Sequence, residues 1–86
     1  MSTFNQAKRD ILETLEQLGE ATAGDLASHL GRSGVSTAMA LLRYHRQGLV
    51  SRYTIAHNAK VYALTNRGYE RLNYLRSMDE VKTAAW

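Results

Sequence analysis

Between Asp25 and Glu70 the chain carries no carboxylate, yet it holds Arg32, Arg43, Arg46, Arg52, Lys60 and Arg67. An uninterrupted cationic interval in a small protein is the electrostatic footprint of a polyanionic partner. Hydroxyls accompany the first of these cations, at Ser33, Ser36 and Thr37. Side chains of that kind contact phosphate oxygens or base edges and need no cofactor. The flanks differ. Residues 1–31 set Lys8 and Arg9 against five acidic residues, and residues 70–86 balance three acids with three bases. The net charge of +3 therefore understates how concentrated the positive charge is.

Other chemistries find little support. There is no cysteine, so thiolate metal sites, cysteine nucleophiles and disulfides are excluded. His29, His45 and His57 have no metal-ligand spacing. No glycine-rich phosphate loop, nucleophile elbow or HExxH motif occurs. A non-enzyme without metal or cofactor is expected. No apolar run is long enough to span a bilayer, and the N-terminus lacks the apolar centre of a secretion signal. A cytoplasmic protein is expected, folded as one domain over residues 1–86.

The elements that must position the cations follow from periodicity. Phe4, Ala7, Ile11, Leu15 and Leu18 recur at helical spacing with Leu12 beside them, which predicts a helix over 3–18 ended by Gly19. Thr22 and Asp25 form a capping-box pair ahead of Leu26, Ala27 and Leu30, and Gly31 closes that short helix. Ser33 caps a third helix over 34–47, stopped by Gly48. Two helices so closely spaced over 22–47 make a helix-turn-helix. The phase of the third helix stays open: Val35, Ala38 and Leu42 form its buried stripe, or Thr37, Leu41 and Tyr44 do. From Leu49 the pattern alternates, predicting a two-stranded hairpin over 49–64 with a turn at 56–59. Thr65 then caps a last helix over 66–80, with Leu64 and Tyr69 at hydrophobic-staple positions and a stripe of Tyr69, Leu72, Leu75 or Tyr74, Met78 and Val81.

Three stretches carry a resemblance: ATAGDLASHLG (21–31), SGVSTAMALLRYHRQGLV (33–50) and VYALTNRGYERL (61–72). Together they resemble the winged helix-turn-helix superfamily of bacterial and archaeal regulators, including the MarR, ArsR and PadR groups. The resemblance spans about residues 5–78. It implies an α+β fold, mostly α, of three helices, a two-stranded hairpin wing and a C-terminal helix, and it favours the second helix phase.

It also implies double-stranded DNA as the partner and transcriptional regulation as the role. The helix over 34–47 would enter the major groove, where Ser33, Gly34, Ser36 and Thr37 contact phosphates or bases, and Met39 and Ala40 touch thymine methyls. Arg43 and Arg46 would clamp phosphates, with Arg32 placed to read a base. Arg52, His57, Asn58 and Lys60 would make mainly backbone contacts from the wing. A homodimer is expected through the first and last helices, using Phe4, Leu12, Tyr74, Met78 and Val81, because two copies double the phosphate contacts. The alternatives are a winged helix that docks on protein, and a replication, partition or architectural factor of a mobile element. Uniform positive charge favours DNA over a protein partner.

Overall fold

The computed structural model describes the backbone over 6–84 and the side chains over 6–78; Phe4, the helix start at residues 3–5 and the side chain of Val81 lie outside the described residues. Helix α1 (Gln6–Leu18) leads through Gly19 into a three-residue strand, β1 (Glu20–Thr22). Helices α2 (Ala23–Leu30) and α3 (Gly34–Arg46) follow. Strand β2 (Val50–Thr54), a 3-10 turn (Ala56–Asn58) and strand β3 (Lys60–Leu64) form the hairpin, and α4 (Asn66–Ala84) completes the chain. This is the α+β order expected, with one addition. The hairpin belongs to a three-stranded antiparallel sheet in the order β1-β3-β2. Glu20, Ala21 and Thr22 pair with Ala63, Tyr62 and Val61. Three residues are too few to show alternation, so β1 exists only because β3 offers it an open edge.

The local signals act as their residue types dictate. Thr22 accepts from the backbone N–H of Asp25 at 3.0 Å, and the Asp25 carboxylate accepts from the backbone N–H of Thr22 at 3.3 Å. This reciprocal box starts α2. Gly31 ends it in the left-handed region at φ 63°, where a Cβ is unfavourable.

Gly68 serves another purpose. A Cβ there would collide with the carbonyl oxygen of Leu49, so α4 crosses the head of β2 only because the position is glycine. Beside it, the Thr65 hydroxyl donates to the Gly48 carbonyl at 2.6 Å and accepts from the Gly68 N–H at 3.0 Å. The Gly-Leu-Val and Leu-Thr-x-x-Gly segments thus interlock in space.

Ile11, Leu12 and Leu15 of α1 are fully buried against Leu26, Leu41, Leu49, Tyr62, Leu72 and Leu75. Each large side chain buried this way is worth about 1.5–3 kcal/mol. Two expectations change. Leu12 lies in the core, which removes it from any dimer face. Among the described side chains of α4 the buried stripe narrows to Leu72 and Leu75, while Tyr69, Tyr74 and Met78 face solvent. Arg76 fastens α4 to α1, donating to Glu16 at 2.7 Å and Glu13 at 3.2 Å. Among the described residues, no helix is long and apolar enough to cross a membrane.

Candidate nucleic-acid interface

Ser33 sets the start of α3. Its hydroxyl accepts from the Ser36 N–H at 3.3 Å, and its carbonyl accepts from the Thr37 hydroxyl at 2.9 Å. From that start the phase is fixed. Thr37, Ala40, Leu41 and Tyr44 turn inward, so Val35, Ser36, Met39, Arg43 and Arg46 turn outward. The second phase holds, and two site expectations fall with the first. Thr37 has no exposed surface, its hydroxyl being spent on the Ser33 carbonyl inside the first turn. Ala40 is buried in the core. Neither side chain can touch a ligand. Val35, read as a possible core residue, is instead 71% exposed.

Arg32 lies in the turn before α3, half-buried, with one guanidinium nitrogen 3.4 Å from the Ser36 hydroxyl. That contact folds it over the first turn of α3. Gly34 is exposed, with open space where a Cβ would stand.

The sheet register sorts the hairpin residues by face. Arg52 pairs with Tyr62 and Thr54 with Lys60, so Arg52, Thr54 and Lys60 share one face of the β2–β3 ribbon. The Lys60 ammonium donates to the Thr54 hydroxyl at 2.8 Å. Tyr53 points to the opposite face, where its hydroxyl donates to the Glu20 carboxylate diagonally across β3. The one acidic residue of the sheet is therefore on the reverse side from the wing cations. At the tip, His57 and Asn58 both adopt positive φ, 61° and 62°, and both are exposed. Asparagine tolerates that region better than histidine.

One cation outside the acid-free interval reaches the end of α3. Lys8 of α1 donates to the Gln47 side-chain oxygen at 2.9 Å, and its ammonium lies 5.3 Å from the centre of the Tyr44 ring. Burial lowers the Lys8 pKa, and the charges of Arg71 and Arg43 lower it further. Burial likewise raises that of Tyr44, against the opposing pull of Arg43 and Arg32. Lys8 thus brings a cation of α1 to the C-terminal end of α3, a placement that residue order could not reveal. Several of the described carboxylates are occupied elsewhere: Glu13 and Glu16 by Arg76, Asp25 in its cap and Asp10 by the Gln6 amide. Among the described residues no carboxylate pairs with Arg32, Arg43, Arg46, Arg52 or Lys60. None of them forms a metal-binding cluster either; His45 places its Nδ1 3.1 Å from the Val50 carbonyl.

This architecture is shared by several solved structures. A MarR family transcription regulator superposes with a TM-score of 0.81 at 30% identity, over 94% of this chain and 55% of its own. A mutant of S. aureus MepR bound to an oligodeoxyribonucleotide gives 0.77 at 25% identity, over 91% of this chain and 60% of its own. YusO from Bacillus subtilis gives 0.85 at 15% identity, over 92% and 57%. The chain spans between 55% and 60% of the length of these three proteins. No protein-family profile and no curated protein matches it. The fold is a winged helix-turn-helix.

Proposed function

We propose that this chain binds double-stranded DNA in a sequence-specific manner and regulates transcription, with α3 in the major groove and the β2–β3 hairpin as the wing. One observation carries the reading: the outward face of α3 and one face of the wing hold cations that no carboxylate of the described chain neutralises. A phosphate backbone supplies the missing charge. The likeness to transcription regulators, one of them bound to an oligodeoxyribonucleotide, supports the same reading.

In this scheme Arg43 and Arg46 hold phosphates on either side of the groove. Ser33 and Ser36, with Gly34 between them, bring the capped helix end close to the backbone, where exposed N–H groups suit a phosphate oxygen. Arg32 reads a base edge beside Met39. Arg52 and Lys60 hold a flanking phosphate from the wing, and His57 and Asn58 follow the backbone at its tip.

Two chains related by a dyad would engage half-sites about one helical turn apart. Tyr74 and Met78, exposed on α4, are the residues of the expected joining set that remain available. Selection from a random duplex pool at physiological salt tests this. The expected product is a short palindrome that sediments with two chains bound. Binding without sequence preference would indicate an architectural factor, and failure to bind any duplex would indicate a protein-docking module.

A further inference from the structure

Val35 and Met39 stand one turn apart on the outer side of α3, 71% and 57% exposed, directly opposite its buried stripe. Two large apolar side chains held in water on an otherwise cationic face call for an occupant. We propose that Val35 and Met39 read the C5-methyl groups of thymines in the major groove, so that the chain selects duplexes by where those methyls stand. The inference rests on the DNA-binding reading and assigns it a recognition chemistry.

The order of residues along the helix supports it. The apolar pair occupies the first two turns, which in this motif face base edges, and Arg43 and Arg46 follow toward the C-terminal end. Direct readout of adenine uses Asn or Gln, cytosine uses Asp or Glu, and guanine uses Arg or Lys. Helix α3 contains no Asn, Gln, Asp or Glu, and its own arginines lie in its second half. Arg32 enters from the preceding turn and contacts Ser36. What the first half of α3 offers a base edge is therefore two apolar groups and the Ser36 hydroxyl. Thymine is the one unmodified base that presents an apolar group in the major groove.

The two side chains suit different tasks. Valine is stiff at χ1 and fixes one contact, whereas methionine adapts to a neighbouring position. An apolar protein partner fits the surroundings less well. The patch is only two side chains wide, and Arg32, Arg43 and Arg46 border it with no nearby carboxylate. That charge complements a duplex.

Thymine-to-deoxyuridine exchange tests this, because it removes the methyl and leaves every hydrogen-bonding group in place. On the best duplex from the random pool, each thymine is replaced in turn and affinity is measured with the full chain. At one or more positions, binding should weaken about fourfold per methyl removed. The Val35→Ala and Met39→Ala variants should each lose sensitivity at a different position. Both residues are exposed, so the variants should unfold as the parent does. A selected duplex whose affinity is indifferent to every replacement would overturn the inference and leave DNA binding intact. So would a double variant that keeps the full sensitivity. A chain that binds no duplex at all would remove the underlying reading as well.

Discussion

The seam between α1 and α4 and the outward face of α3 treat positive charge in opposite ways. At the seam, Arg76 sits between Glu13 and Glu16, and Arg9 lies 3.8 Å from the same Glu13. The hydrogen bond to Glu16 does most to raise the Arg76 pKa, with Glu13 adding to it. On α3, Arg43 and Arg46 are exposed and no described carboxylate reaches them. The residue types are the same, but their work differs. A cation with an internal partner joins two helices. A group of like charges without one repels itself and favours an anion from outside. Lys8 marks the border: it belongs to α1, yet its ammonium meets Gln47 and the Tyr44 ring at the end of α3.

Charge reversal on the open face gives the largest expected effect. Arg43→Glu combined with Arg46→Glu should weaken binding to every duplex by roughly a hundredfold to ten-thousandfold, since each charged hydrogen bond lost costs about 1.5–3 kcal/mol. The plot of log affinity against log salt should become shallower by roughly 1.8, about 0.9 for each phosphate contact removed. The thermal unfolding midpoint should fall only modestly: both positions are exposed, but they lie in the last turn of α3, where each acidic replacement costs about 0.3–1 kcal/mol against the helix dipole. Fluorescence anisotropy across a salt series reads both quantities. Unchanged affinity would mean that α3 does not present this face to DNA.

Arg76→Ala should produce the complementary pattern with a smaller magnitude. Its two ion pairs are about one-third exposed, so the loss should be roughly 0.5–1 kcal/mol of stability, seen in urea unfolding. Duplex affinity at fixed salt should be unaltered. A variant as defective in DNA binding as the α3 pair would show that the seam and the open face form one electrostatic unit.

How far the sequence foretells this division depends on the range of the interactions. Caps at Thr22 and Ser33 are legible because their partners lie three residues away. Helix order and the hairpin are legible because periodicity is local. The phase of α3 is not, since apolar residues occur all around it and only packing makes Val35 outward and Thr37 inward. Strand β1 depends on β3, forty residues on, and the glycine at 68 gains its meaning from a carbonyl nineteen residues earlier. Lys8 was invisible as a member of the cationic side for the same reason: Gln47 and Tyr44 come to it only through the tertiary fold. Charge counted along the chain found the interval, but it could not show which carboxylates would fold back toward it.

Glu20 is the carboxylate that comes nearest to blurring the comparison, and its removal should have the smallest effect. The Tyr53 hydroxyl donates to it on the reverse face of the wing. That hydrogen bond, more than burial or the Glu20 charge, pushes the phenol pKa above its ordinary value of 10.0. The native chain therefore keeps a proton that the unfolded chain releases once the pH passes about 10. The stabilisation is complete below that value and declines as pH rises toward the native pKa. In Glu20→Ala both the hydrogen bond and the charge are gone. One tyrosine should then titrate at lower pH in ultraviolet difference spectra, while Tyr44, raised mainly by burial, should stay in place as an internal reference. An unmoved titration would mean that Glu20 does not hold Tyr53 in solution. Duplex affinity should change far less than with the Arg43 and Arg46 double variant, because Glu20 and the wing cations Arg52 and Lys60 lie on opposite faces of the sheet. A large gain in affinity would place Glu20 among the cations facing DNA and erase the division between neutralised seam and open face.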